Sequence, residues 1–253
     1  MPLNQRQLKL VKEVLSLPTA PFCEQHVIAW LKQFAEDRNL NVRQDKWGNM
    51  LIHYQRDRRA SRPLALCAHL DHPGFEAMRQ TKGGETEVRW FGRRVPTECF
   101  TGTALRFFSE GKWTRGEVLR LPRKTNDLKP FSLLVKCSRP VAPGSPGMWD
   151  FPNPRIRGDR IYARAHDDLA AVAAIVCVLD EAVRRRVNGD MYAFFTRGEE
   201  AGLVGVTGAC KSRTLPKKCV AVALEASRAL PAAPLGGGVV VRVGDLSTVF
   251  TPW

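Results

Sequence analysis

The stretch Ala163–Ala171, ARAHDDLAA, decides how the chain is read. Asp167 and Asp168 stand at the mouth of an apolar run, Leu169 to Leu179, broken only by Cys177. Such a run predicts a buried helix. Taken alone, the two acids have an ordinary reading, because aspartate caps helix N-termini and complements the helix dipole. Three other segments change that reading: His69-Leu-Asp71, Glu199-Glu200 and Glu225, each of which ends a hydrophobic strand. In open α/β sheets ligands collect beyond the carboxyl ends of the strands, so these segments point to one shared site.

Outward from that stretch the pattern alternates. Residues 4–16 carry Leu8, Leu10, Val11, Val14 and Leu15 at helical spacing, and Pro18 stops them. Residues 24–40 predict a second amphipathic helix and residues 42–54 a hairpin turning at Asp45–Asn49. Residues 63–68 form a short buried strand that delivers His69 and Asp71. From Phe75 to Pro154 helical periodicity gives way to short alternating runs and turn signals, with proline and glycine clustered at residues 143–147. The α/β pattern resumes at residues 160–163. Residues 191–196 are a strand leading into Glu199-Glu200, a helix starts near Ala201, and residues 220–224 are a strand ending at Glu225. Residues 236–243 read as a final glycine-led strand. The expected layout is a discontinuous α/β domain, 1–74 and 155–253, around an inserted β-rich domain, 75–154.

Composition narrows the function classes. The chain has 253 residues, 44% hydrophobic and 25% charged, as soluble globular proteins do. Its seven cysteines form no C-x-x-C pair, which argues against both a disulfide framework and a cysteine zinc site. The apolar run at 169–179 is too short to span a bilayer, and the first residues lack the apolar core of a signal peptide, so the expected location is cytoplasmic. The net charge of +14 raises nucleic acid as a partner. Against it, the basic clusters at 56–59, 184–186 and 217–218 are short and dispersed, with no RNA-binding aromatic motif or zinc-finger spacing.

The acids and the imidazole suit a pair of divalent cations, zinc or cobalt, which accept both ligand types. Two such cations need a bridging group, and a short aspartate at a helix start suits it, so Asp167 is expected to bridge and Asp168 to cap the helix or support the site. His69 is expected to bind one metal with Glu225, and Asp71 to orient His69 from behind. Of the adjacent pair, Glu199 is expected as general base and Glu200 as ligand, although a helix start rich in glutamate would look the same. His72 and His166 are expected to line the site or face solvent.

These segments resemble the tetrahedral-aminopeptidase and glutamyl-aminopeptidase family of dinuclear metallopeptidases. Asp45–Asn49 resembles its D-x-x-G-N turn, His69–Gly74 its H-x-D-x-x-G segment, Ala165–Asp168 its A-x-D-D segment and Gly198–Gly202 its E-E-x-G segment. Residues 235–245 resemble the glycine-led strand after the third metal acid. The resemblance implies a doubly wound, phosphorylase/hydrolase-like catalytic domain, a mixed sheet flanked by helices, carrying an inserted small β-barrel-like domain for dimerisation or as a lid. It also implies short peptide substrates and a homo-oligomer, a dimer or a larger assembly. The early insert, 98 positions between His69 and Asp167 (167 − 69), favours the aminopeptidase over carboxypeptidase-like relatives. The chain departs from the family at four places. Glu225 stands where aspartate is usual, Leu169 where a basic residue is usual and His166 where an apolar one is usual. The family's last ligand, a histidine beyond the glycine-led strand, has no counterpart, since no histidine follows His166. One metal site is therefore expected to be weak or empty, and a second reading is a non-catalytic homologue serving as an assembly or binding subunit.

Overall fold

A computed structural model describes residues 3–57, 62–92, 95–121, 131–244, 249 and 250. The chain opens with helices α1 (Gln5–Ser16) and α2 (Gln25–Glu36), the hairpin β1 (Asn41–Gln44) and β2 (Met50–Gln55), and β3 (Leu64–His69). Six strands follow: β4 (Gly74–Gln80), β5 (Thr86–Phe91), β6 (Ala104–Ser109), β7 (Lys112–Arg120), β8 (Phe131–Cys137) and β9 (Pro146–Trp149). A ribbon of β10 (Arg155–Arg157) and β11 (Arg160–Tyr162) then leads to α3 (Leu169–Arg185), β12 (Asp190–Thr196), α4 (Val204–Ser212) and β13 (Val220–Ala223).

The local reasons are plain at the helix ends. Asn4 caps α1 through a reciprocal box with Gln7, which satisfies two of the otherwise unpaired N–H groups. α2 stops at Glu36, short of the expected Leu40, because Asn39 turns left-handed at φ +52° and the Leu40 N–H folds back to the Ala35 carbonyl. α1 and α3 are tied by charge as well as by packing. The carboxylate of Asp180 on α3, 3% exposed, takes Arg6 of α1 at 2.5 Å and Arg38 at 2.7 Å.

The main sheet runs β1-β2-β12-β3-β13, with β3 parallel to β12 and β13 and β2 antiparallel to both of its neighbours. Alternation along β12 explains its central place. Met191, Ala193 and Phe195 join the core beneath α1, α2 and α3, whereas Phe194 packs with Leu51 and Ala209 on the α4 side. Both faces are thus covered by helices, as expected of a doubly wound mixed sheet.

β4 to β9 close a six-stranded barrel in the order β4-β5-β8-β7-β6-β9, around a separate core that includes Phe75, Trp90, Phe100, Leu105 and Phe107. Closure depends on Gly147, where a Cβ would lie 2.3 Å from the Phe107 ring. The barrel touches the main core through Trp113, over which Arg164 places its guanidinium at 4.9 Å.

Part of the proline-glycine cluster at 143–147 belongs to β9, the strand that closes the barrel between β4 and β6, because pairing partners on both sides outweigh local turn chemistry. Two sequence expectations need correction. Residues 160–163 do not rejoin the main sheet, since β11 pairs with β10 alone in a separate ribbon. The glycine-led stretch at 236–243 forms no strand. Leu230 bridges Ala233 and Gly244 bridges Val249, while Val239 is 94% and Val241 87% exposed. A β-branched run becomes a strand only against a partner edge, and among the described residues the one backbone pairing of 239–243 outside the run is at the end, where the Val243 carbonyl accepts the Phe250 N–H at 2.9 Å. Arg58 and Arg59 of the first basic cluster, and Asp245 of the glycine-led motif, lie outside the described residues.

Candidate functional site

β3, β12 and β13 are parallel and in register, with Thr196 opposite His69 and Ala223 opposite Cys67, so their carboxyl ends emerge side by side. His69 is the last residue of β3, Glu199 and Glu200 follow β12 by a few residues, and Glu225 follows β13. Asp167 arrives from the opposite direction, just ahead of α3.

These residues meet on the His69 ring, which is 3% exposed. Its Nε2 lies 3.2 Å from Asp167 Oδ1, 3.6 Å from Glu225 Oε1 and 4.0 Å from Glu199 Oε2. Its Nδ1 faces Asp71 Oδ1 at 3.4 Å. Two sets of donor atoms gather within 4.8 Å: His69, Asp167 and Glu225 in one, His69, Glu199 and Glu200 in the other. All six residues named from the sequence, His69, Asp71, Asp167, Glu199, Glu200 and Glu225, are thus neighbours. The grouping differs in one respect, because Glu200 falls in with His69 and Glu199 rather than with Asp167.

The donor set fits a cation. Asp167 Oδ1 and His69 Nδ1 are buried without an aligned hydrogen-bond partner, a costly state for polar atoms. Burial disfavours the charged acids, and the neighbouring carboxylates add to this. Burial, Asp167 and Glu199 push Glu200 up to about 8. Glu199 is raised mainly by burial, with Glu225 among the charges that add to it. For Asp167 burial acts upward, but contact with His69 wins and holds it below the usual range. For His69 burial acts downward, and Asp167, Asp71 and Glu225 together raise it. Crowded, partly protonated carboxylates around one imidazole are what a divalent cation would relieve.

Of the two roles expected of Asp168, capping α3 or supporting the site, the geometry matches the second. The Asp168 side chain makes no cap hydrogen bond, and its Oδ2 instead accepts the His69 N–H at 3.2 Å. It is fully buried, and burial followed by the charge of Glu225 pushes it up to about 8. His72 packs its Nδ1 against the Asp167 carbonyl. His166 points away, into a groove with Leu15, Ile161 and Ala170. A cavity of about 640 Å³ opens beside the cluster, lined by His69, Glu199 and Glu225 at one end and by Phe194, Leu203 and Leu224.

Sequence reasoning overlooked how the turn bearing Glu199 is held. Asp71 accepts the N–H groups of Glu199 at 3.0 Å and Glu200 at 2.9 Å. Asn49 accepts the Arg197 N–H at 3.1 Å and donates to the Gly205 carbonyl at 2.9 Å. Glu24 accepts the Gly198 N–H at 3.0 Å. The one signal in the sequence was the position of Asn49 in a tight turn, which reads as local chemistry rather than as a reach of 148 residues.

Residues 137–253, which include Asp167, Glu199, Glu200 and Glu225, match the family model of M42 glutamyl aminopeptidase. No curated protein sequence matches the chain. Among solved structures, an aminopeptidase from the archaeon Desulfurococcus kamchatkensis superposes with a TM-score of 0.68 at 19% identity, over 92% of this chain and 66% of its own. The Pyrococcus horikoshii TET1 peptidase gives 0.67 at 17% identity, over 87% of this chain and 68% of its own. A TET aminopeptidase from a marine sediment archaeon of the Thaumarchaeota gives 0.69 at 18% identity, over 90% of this chain and 68% of its own. The chain spans about two thirds of the length of these relatives, 66–68%. Over residues 137–253 the sequence is thus similar to the M42 glutamyl aminopeptidase family, and the fold of the described residues is similar to that of the tetrahedral aminopeptidases.

Proposed function

We propose that the chain is a metal-dependent aminopeptidase that removes N-terminal residues from short peptides. One observation carries the reading: a buried imidazole stands 3.2–4.0 Å from carboxylates of three separate segments, Asp167, Glu225 and Glu199. The family match over the segment that holds those acids supports it. His69, Asp167 and Glu225 would hold one zinc or cobalt ion, and Glu200, which gathers with His69 and Glu199, would with Asp167 hold a second, with His72 the imidazole beside Asp167. The cations would polarise the scissile carbonyl and favour ionisation of water.

The protein's own part is positional. Asp71 faces the His69 ring at Nδ1, 3.4 Å away, and anchors the backbone of the Glu199-Glu200 turn. Glu199 takes a proton from the attacking water as its oxygen bonds to the carbonyl carbon. It then passes that proton to the leaving nitrogen as the C–N bond breaks. Domain boundaries at 75 and 154 belong to the same proposal, with the barrel as the inserted unit through which copies associate. Assembly into a homo-oligomer is extended to this chain from the TET1 peptidase, whose structure is described as a tetrahedron or an octahedral shell. Among the described residues no helix is long and apolar enough to cross a membrane, and a cytoplasmic location remains part of the proposal.

The test is metal content per chain with added zinc or cobalt, together with turnover of aminoacyl anilides. Metal uptake with turnover supports the reading. A folded chain that takes up no metal leaves the non-catalytic assembly subunit in its place.

A further inference from the structure

Glu24 stands at the N-cap position of α2, yet its side chain makes no cap hydrogen bond there. It is fully buried and turns toward the Glu199 turn instead. Its Oε1 accepts the Gly198 N–H at 3.0 Å and the Phe22 N–H at 3.0 Å. Its Oε2 takes Arg197 at Nε, 2.8 Å, and at Nη2, 2.7 Å. Arg197 Nη2 also donates to the Phe22 carbonyl at 3.0 Å. Four consecutive backbone N–H groups, from Arg197 to Glu200, thereby end on three remote side chains: Asn49, Glu24 and Asp71. A buried glutamate between two N–H donors and a guanidinium is held in one orientation, because each of its oxygens is fully engaged.

The same carboxylate reaches the barrel. Phe22 is a non-glycine residue at φ +67°, a conformation that bulky side chains avoid unless it is imposed on them. Glu24 and Arg197 impose it from both sides of the residue. The Phe22 ring then lies beside Gly198 and meets Phe91 of β5 edge-on at 5.4 Å. One buried acid links the turn that bears Glu199, the loop before α2 and the rim of the barrel.

We propose that Glu24 is a positioning residue for Glu199, setting the direction of its carboxylate through the Gly198 N–H and the Arg197 pair without touching substrate or metal. The proposal rests on the hydrolytic reading of Glu199 for its kinetic arm only. Glu24→Gln keeps an acceptor for Gly198 but opposes an amide NH₂ to Arg197, and Glu24→Ala removes both contacts. In the full chain loaded with zinc, Glu24→Gln should keep its metal content, lower kcat on an aminoacyl anilide about tenfold or more and leave KM within about twofold. Where Glu24→Ala folds, it should lose more. Amide exchange in the 197–203 peptide should quicken in both variants. Unchanged kcat in folded Glu24→Gln, or a loss confined to KM, overturns the proposal. If the unaltered chain shows no turnover, the peptidase reading fails separately and the exchange of those amides decides: protection equal to that of the unaltered chain overturns the positioning role.

Discussion

Glu199 and Glu200 are adjacent, each donates its backbone N–H to one oxygen of Asp71, and yet they differ in surroundings. Glu199 borders the cavity beside His69, whereas Glu200 is the one of the two that burial, with Asp167 and Glu199, pushes up to about 8. If Glu199 is the proton carrier, Glu199→Gln should keep zinc or cobalt at the same stoichiometry and lose about 10²-fold or more in kcat, measured on aminoacyl anilides. Comparable turnover would remove Glu199 from the chemistry. A second test at this scale concerns Gly205, the second residue of α4. A Cβ there would lie 2.4 Å from the Arg197 carbonyl and 2.4 Å from Asn49 Oδ1, so Gly205→Ala forces backbone apart at the base turn. Urea unfolding should show a loss of about 1–3 kcal/mol, with turnover reduced because the turn is displaced.

At the scale of elements, the helical face is secured by a charge as well as by apolar packing. Burial alone would raise Asp180, but hydrogen bonds from Arg6 and Arg38 win and hold it below the ordinary carboxylate range. Its folded value is thus depressed relative to the unfolded chain. The stability it contributes is complete above the unfolded value near 4 and is lost as pH falls through the folded value. Asp180→Ala should cost about 2–4 kcal/mol at pH 7, the lower end being set by the half-exposed Arg6 side chain, which can rehydrate. In guanidinium titrations at pH 7, 4 and 2.5 the gap between the unaltered chain and Asp180→Asn should narrow with acidification. A gap that stays constant would show that the ion pairs contribute nothing net.

For the whole molecule, the acid cluster joins β3, β12, β13 and the start of α3, so whatever neutralises it stabilises the fold as a unit. A ligand bound only by the folded chain adds about 2.7 kcal/mol at a hundredfold excess over its Kd. Zinc should therefore raise Tm and EDTA should lower it. His69→Ala should abolish most of that metal-dependent gain, since both donor sets contain His69. A gain that survives the substitution would place the cation elsewhere. Mass photometry should find the chain in an assembly larger than a monomer, and a purely monomeric population would remove the extension from the TET1 peptidase.

The amphipathic spacing of α1, the apolar run of α3 and the alternation within β12 were all legible from residue order, because local periodicity reports which side of an element is buried. So was the grouping of the acids and the imidazole of the candidate site, each set beside an apolar segment where a charge is expensive without a partner. Pairing was not legible in the same way. The same β-branched and glycine-rich composition gave no strand at 236–243, while a proline-led run at 146–149 closed a barrel, because a strand exists only if another edge accepts its hydrogen bonds. Nor could local order reveal that Asp168 would serve the His69 backbone instead of its own helix, or that Glu24 would leave its helix end for the Glu199 turn 174 residues away. Residue types and their order determined which groups could do chemistry; only the three-dimensional fold, by bringing distant donors and acceptors into reach, decided which of them face one another.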